Sequence, residues 1–341
     1  MVKNTMNPKL SIIWLNYNSK DFLSIALKSV ESTLNLDLPI ELVVVDNGST
    51  DGSFEKIYDY LINNLTSNVK LEIVRLRRNL GFTGGNNIGF IHTSPQVKYV
   101  VLMNNDLILE DGAVERIISW MESRESVGIA QGVIYKINGS EIDNSGFLCT
   151  ELLNCFSLRK EVEKPIPVTF ASGALLVVKR TVVEKIGKLF DWEGFMYFDD
   201  MPLGFRAWMR GFKVLSLPVA SGRHLGGASG GLSNPRTAYY VYRGHGIMIE
   251  VSNSRLKHIA EYLAWKNIPI VKGLKNPKLL TWAYKGLRDG VEIGALKRAK
   301  EGEIDIYRAP LVKLEFFKRV LETLLPNKIL EKMIGEPSKT T

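Results

Sequence analysis

Four short apolar runs, each stopped by a polar or glycine-rich turn and followed by helical spacing, predict an α/β fold. The expected sheet is mixed but mainly parallel and flanked by helices. Strands buried on both faces read as continuous apolar runs, and Leu42 to Val45 and Val100 to Leu102 have that character. Each run leads to a carboxylate at the C-terminal end of its strand, Asp46 and Asp106. In open α/β sheets that edge is where ligands bind.

The first predicted strand, Leu10 to Leu15, ends in Asn16, Tyr17 and Asn18. The second, Leu42 to Val45, ends on Asp46 and NGSTDGS, after which Phe54, Ile57, Tyr58 and Leu61 recur at helical spacing. The third, Leu71 to Leu76, runs into NLGFTGGNNIGF. The fourth, Val100 to Leu102, runs into MNND, and oxygen ligands there suit a hard divalent cation carrying phosphates. The plain alternative is that Asp106 caps the segment starting near Asp111. Residues 141–167 read as irregular, with a β-hairpin or loop insertion around Gly146 to Cys155. Thr169 to Lys179 reads as a strand, and Arg180 to Gly187 as a short helix closed by its glycine. A densely aromatic and acidic segment then enters a helix around Leu203 to Met209 and a strand around Lys213 to Leu217. SGRHLGGASGGLSNP, residues 221–235, reads as a functional or disordered loop.

Composition bounds the rest. With 341 residues, 45% of them hydrophobic, the chain can bury a sizeable core in one or two domains. No run of 18 apolar residues predicts a membrane span, and MVKNTMNPKL lacks the apolar core of a signal peptide. Cys149 and Cys155 are too close to suggest a disulfide framework and lack zinc-site spacing. They read as free thiols of a reducing, cytoplasmic compartment. The net charge is +8, and residues 250–341, with 18 Lys and Arg against 11 Asp and Glu, carry +7 of it. Ile259, Leu263 and Ile268, then Leu311, Leu314, Phe317 and Leu321, fall at helical spacing in this tail. Basic residues beside apolar helical faces fit an anionic membrane surface, here the inner face of the cytoplasmic membrane. Equally, such helices form a subdomain that packs on a core. The tail holds no nucleic-acid recognition motif.

VVVDNGSTDGS, NLGFTGGNN, LMNND, SGALLVVKRTVVEKIGKLFD, YFDD with LGFRAWMRGFKV, and RHLGGAS occur in that order. Together they resemble glycosyltransferase family 2, inverting enzymes of the GT-A fold, and within it the rhamnosyltransferase-like and galactofuranosyltransferase-like branches. The resemblance covers roughly residues 9 to 250 and implies a GT-A domain there, with residues 251–341 as a basic, amphipathic helical extension. It implies transfer of a sugar from a nucleotide-diphosphate donor to a glycan or lipid-linked acceptor hydroxyl, in cell-surface polysaccharide or glycolipid assembly.

The resemblance also assigns residues. Asp46 falls where the family contacts the nucleobase, and Leu15 to Tyr17 match the segment that cradles the base. Gly84, Gly85 and Asn86 match a segment lining the nucleotide and sugar-phosphate, where glycines allow close backbone approach. The family's DxD motif falls on Asn104, Asn105 and Asp106, so only one acid remains. His224 matches a histidine that completes the metal site in relatives, and His plus carboxylate suits Mn2+ somewhat better than Mg2+. Asp200, the second acid of the pair opening a helix, matches the base, with Asp199 as its neighbour. Pro202 stands where relatives often carry a further acid. Arg243 matches an arginine assigned to the diphosphate. The helix dipole lowers the pKa of Asp200 and apolar neighbours such as Phe198 and Trp192 raise it, so its direction is open at this level.

Two other readings compete. A nucleotidyltransferase would place a glycine-rich, basic loop directly after the first strand, and WLNYNSKDF lacks one. A non-catalytic nucleotide-sugar or glycan-binding module would have no need of Asp106, Asp200 and His224 together.

Overall fold

The structure is a computed structural model describing residues 8–226, 234–268 and 277–313. In chain order, β1 (Leu10–Asn16), α1 (Leu23–Leu34), β2 (Ile40–Asp46), α2 (Ser53–Asn64), β3 (Val69–Arg75), α3 (Gly81–His92) and β4 (Tyr99–Asn104) alternate as expected. They are followed by β5 (Leu107–Leu109), α4 (Ala113–Glu122), β6 (Val127–Lys136) and β7 (Ile142–Asn144). An insertion carries β8 (Phe147–Thr150) and β9 (Cys155–Ser157). The chain returns through β10 (Ile166–Pro167), β11 (Leu175–Lys179), α5 (Arg180–Ile186), α6 (Asp200–Met209) and β12 (Lys213–His224). The remainder is α7 (Pro235–Val251), α8 (Lys257–Asn267), α9 (Pro277–Glu301) and β13 (Leu311–Val312).

These elements form two compact units, residues 1–146 with 159–228, and residues 147–158 with 229–341. The described residues 234–250 are grouped with the second unit.

The first unit is built on a ten-stranded sheet of order β10-β12-β6-β11-β4-β1-β2-β3, with β5 on β12 and β7 on β6. The block β4-β1-β2-β3 is parallel, and β11 pairs antiparallel with β4 and β6. Strands β1 and β2 are buried along their whole length. Trp14 is fully buried, and its indole N–H donates to Ser29 Oγ of α1 at 2.9 Å. On the other face α3 lies close to β1: a Cβ on Gly85 would meet Leu15 Cδ1 at 2.4 Å, and one on Gly89 would meet Ile13 Cγ2 at 2.4 Å. Edge strand β3 carries Lys70, Glu72 and Arg75, charges that discourage pairing with another chain.

Two sequence expectations shift. Strand β12 does not stop at Leu217 but runs to His224, because Ala220, Gly222, Arg223 and His224 pair with β6 and the last three also with β5. The first part of the expected glycine-rich loop is therefore strand, and residues 227–233 lie outside the described residues. Thr169 to Ala174 is not strand; Ser172 N–H is drawn to Gln131 Oε1 at 2.6 Å and β11 begins only at Leu175.

In the second unit β8 and β9 form the expected hairpin, with Cys149 opposite Cys155, and the two are joined as a disulfide. The free-thiol expectation is thus corrected: the hairpin turns residues six apart into cross-strand partners. Helices α7 and α9 pack backbone to backbone, since a Cβ on Gly286 or Gly290 would lie 2.2 Å from the carbonyl oxygen of Tyr239 or Arg243. Leu311, read at helical spacing, pairs instead with Cys149 in a short parallel strand. Leu314, Phe317 and Leu321 lie outside the described residues. Among the described residues, no helix is long and apolar enough to cross a membrane.

Candidate active site

The parallel register brings the strand-end residues together. Asn16 is opposite Asp46, and Leu15 is opposite both Val45 and Asn104. The Asn16 amide donates to Asp46 Oδ1 at 3.2 Å and to Ser49 Oγ at 3.2 Å. Its carbonyl oxygen accepts from Asn105 Nδ2 at 2.8 Å and from Ser19 Oγ at 2.8 Å. Asn16 thereby ties the second-strand acid to the turn after β4, a role the sequence did not single out. Beyond Asp46, Arg75 Nε approaches Asp46 Oδ2 at 3.5 Å and Arg75 Nη2 donates to Glu55 at 2.6 Å. Gly48, Ser49, Thr50, Arg75, Leu76 and Arg77 line a cavity of about 330 Å³ there. Tyr17 is exposed and Leu15 is buried.

Gly84, Gly85 and Asn86 sit in the first turns of α3 and are buried. Gly85 admits Leu15, and the Asn86 amide donates to the Phe82 carbonyl at 2.9 Å, so both have visible packing roles.

Asp106 does not cap α4, whose N-cap is Gly112. Its Oδ1 lies 3.2 Å from His224 Nε2, and Leu225 N–H donates to the Asp106 carbonyl at 2.9 Å. The other ring nitrogen, Nδ1, lies 2.9 Å from Asp143 Oδ2. Burial would push the imidazole pKa down, but hydrogen bonds to Asp106 and Asp143 and their charges outweigh it and push it up to about 9. Asp143 in turn is held below the usual carboxylate range, its burial outweighed by the hydrogen bond and charge of His224.

Two ligands on one cation at 2.0–2.2 Å stand about 3 Å apart, which is the spacing of Asp106 Oδ1 and His224 Nε2. Among the described residues no three His, Cys, Asp or Glu side chains form a metal cage. A carboxylate and an imidazole fit a divalent cation whose other positions are filled by oxygens from a bound phosphate or water.

Asp199 and Asp200 open α6. Asp199 is buried and its side chain does not cap the helix; a Cβ on Gly194 would meet its Oδ1 at 2.2 Å. Asp200 Oδ2 accepts from Gly173 N–H at 3.0 Å. The next residue, Ala174, accepts from Asn104 N–H at 3.0 Å, which anchors the base candidate beside the Asn104–Asp106 turn. Burial pushes the Asp200 carboxyl up to about 6 against the backbone N–H groups that lower it, settling the direction left open by the sequence. Pro202 occupies the first turn of α6, where a missing N–H costs nothing.

The segment before this helix is strained. Phe195, Tyr197 and Phe198 all have φ near +60°, a region bulky residues avoid. It is pinned by Phe195 O accepting from Thr83 N–H at 3.2 Å, and by Asp191 paired with Arg206 at 2.9 Å and Lys188 at 2.9 Å. Gly81, at φ +76°, lies where a Cβ would strike the Phe195 carbonyl at 2.2 Å. Trp192 is half-exposed.

The sequence profile described as Glycosyl transferase family 2 matches residues 11–187, which include the strand-end acids and the Asn104–Asp106 turn. The chain belongs to glycosyl transferase family 2. A family relative, "Uncharacterized glycosyltransferase alr2836" of Nostoc sp., is 31% identical over 122 residues, 36% of this chain and 35% of the relative. The chain thus matches about a third of the length of that curated relative. Among solved structures, GalNAc-T7 with UDP, GalNAc and Mn2+ superposes with TM-score 0.58 at 16% identity, over 87% of this chain and 58% of that one. The mannosyltransferase PcManGT from Pyrobaculum calidifontis, in complex with GDP-Man and Mn2+, superposes with TM-score 0.53 at 18% identity, over 97% and 85%. These likenesses establish the GT-A fold for this family 2 chain.

Of the residues expected at the family 2 site, the structure joins Asp106 with His224 and places Asp200 beside the Asn104 strand end. Arg243 lies in the second unit, on α7, with its guanidinium over Tyr239 and Tyr240 at 5.5 and 4.8 Å. Asp143 was missed: it lies in the irregular 141–167 stretch, and its sequence neighbours give no motif.

Proposed function

We propose that this family 2 chain is a metal-dependent, inverting glycosyltransferase that moves a hexosyl or deoxyhexosyl group from a nucleotide-diphosphate donor to an acceptor hydroxyl. The observation that supports it is the placing of Asp106 with His224, and of Asp200, at one edge of the sheet. Asp106 and His224 would hold a divalent cation, which supplies Lewis-acid neutralisation of the charge gained by the leaving diphosphate. The cavity beside Asp46 takes the nucleobase, with Asp46 held in place by Asn16 and Ser49. Mn2+ in the two superposed structures is consistent with this metal.

Asp200 acts as general base. The carboxylate takes the acceptor proton as the acceptor oxygen attacks the anomeric carbon and the diphosphate leaves from the opposite face. Its raised pKa makes it a stronger base than an exposed carboxylate while leaving it ionised at neutral pH. One carboxylate and one displacement invert the anomeric configuration. Asp199 orients the acceptor side, and the buried main-chain donor at Gly173 fixes the reacting oxygen's partner.

Acceptors in this reading are glycans or lipid-linked glycans of cell-surface assembly, met at a membrane. Ile259, Tyr262, Trp282 and Leu296 of the second unit are exposed among lysines and arginines, which favours binding to an anionic surface. Sedimentation with anionic and with neutral vesicles tests this; equal partitioning into both would remove the membrane from the reading.

The direct test is a thermal-shift screen of UDP-, dTDP- and GDP-sugars with and without Mn2+, followed by nucleoside diphosphate release from the hit. Mn2+-dependent stabilisation by one donor and turnover with an acceptor are expected. Donor binding without turnover on any acceptor would reduce the chain to a nucleotide-sugar-binding module.

A further inference from the structure

The carboxylate of Asp143 has no place in the reaction described above, yet it is built into the same cluster. It stands on β7, whose pairing with β6 sets Tyr135 opposite Ile142. β6 also pairs with β12, with Lys136 opposite His224, and Ile137 N–H donates to the His224 carbonyl at 2.9 Å. Lys136 N–H to the Glu141 carbonyl at 2.8 Å closes the β6–β7 hairpin, and Arg223 Nη1 to the Gly139 carbonyl at 2.9 Å fastens its tip to β12. The neighbouring Asn144 is buried and accepts from Gln131 Nε2 at 3.0 Å. The hairpin backbone is therefore fixed from several sides, and Asp143 meets His224 Nδ1 at 2.9 Å while Nε2 turns to Asp106.

We propose that Asp143 is a positioning residue for the metal site: it accepts the Nδ1 hydrogen of His224, fixes ring orientation and tautomer, and leaves the Nε2 lone pair for a divalent cation shared with Asp106. This rests on the metal-dependent reading above. A carboxylate behind a ligating imidazole is a general device that raises ligand basicity, and its loss costs about 10- to 100-fold in metal affinity. Because Nδ1 and Nε2 point away from each other across the ring, Asp143 acts through His224 and is not itself a ligand.

The test is Mn2+ affinity, read by electron paramagnetic resonance of free Mn2+ in the presence of UDP and, separately, GDP. It compares the full chain with Asp143→Ala, Asp143→Asn, His224→Ala and the double variant. Asp143→Ala should weaken Mn2+ about 10- to 100-fold. Asp143→Asn, whose amide oxygen still accepts from Nδ1, should recover most of that loss. In the His224→Ala background, removing Asp143 should add nothing, because the two act as one unit. Circular dichroism and melting temperature confirm that each variant is folded. Wild-type Mn2+ binding with Asp143→Ala unchanged would overturn this proposal alone. Additive losses in the double variant would also overturn it. No Mn2+ binding by the wild-type chain with either nucleotide would overturn it together with the metal-dependent reading.

Discussion

His224 Nε2 lies 3.2 Å from Asp106 Oδ1, joining the last residue of β12 to the turn that follows β4. In the proposed reading the pair stands in for the two acids of a DxD motif, with one acid and one imidazole from distant parts of the chain. If these are the only protein donors to the cation, neither can be spared. Asp106→Asn and His224→Ala should each weaken Mn2+-dependent nucleotide binding at least about 10-fold, measured by calorimetry with UDP and GDP. Unchanged Mn2+ dependence in His224→Ala would remove the histidine from the site.

Asp200 should cost the free protein stability at neutral pH. Its carboxyl is raised from an ordinary 3.8 to about 6 by burial, so the folded state binds a proton more tightly than the unfolded one. Stability from this group is complete below pH 3.8 and is lost as pH rises through about 6. Asp200→Asn, which stays neutral, should melt higher than wild type at pH 8, and the gap should close towards pH 4. Thermal melts at the two pH values check this; equal melting temperatures at pH 8 would contradict the burial of the charge.

Glycines in the interior of a helix usually gain stability on conversion to alanine. Gly290→Ala should do the reverse, because its Cβ would lie 2.2 Å from the Arg243 carbonyl oxygen. α7 and α9 must part to admit it, at a cost of about 1–3 kcal/mol. Gly302→Ala offers a different contrast, since nothing surrounds its Cβ and only its φ of +82° opposes the change. Urea denaturation followed by tryptophan fluorescence measures the loss, and an unchanged midpoint for Gly290→Ala would mean the two helices pack less closely.

Much of the first unit was legible in the sequence, because a parallel strand buried on both faces leaves a continuous apolar run. Leu42 to Val45 and Val100 to Leu102 were found that way, each within a residue or two of the end of its strand. Strand β12 was cut short because Ser221, Gly222 and Arg223 look like loop; their strand geometry comes from pairing with β5 and β6, which local composition does not encode. For the same reason Asp143 and the hub at Asn16 were invisible: an isolated polar residue acquires its meaning from a partner far along the chain. The direction of the Asp200 pKa was open because dipole and burial oppose each other, and only packing shows that burial wins. The cysteine pair was misread although its hairpin was expected, because a separation of six looked too short for a disulfide, whereas antiparallel pairing sets Cys149 directly opposite Cys155.

Sugar transfer by Asp200→Asn, with donor binding measured on the same sample, tests the proposed chemistry most directly. The amide keeps the shape of the carboxylate and cannot take the acceptor proton. Donor and Mn2+ affinity should stay close to wild type while kcat falls about 10²- to 10⁴-fold, and the product of the wild-type enzyme should carry inverted anomeric stereochemistry by NMR. An Asp200→Asn enzyme with normal turnover, or a wild-type product with retained configuration, would contradict the assignment of Asp200 as the base of a single displacement.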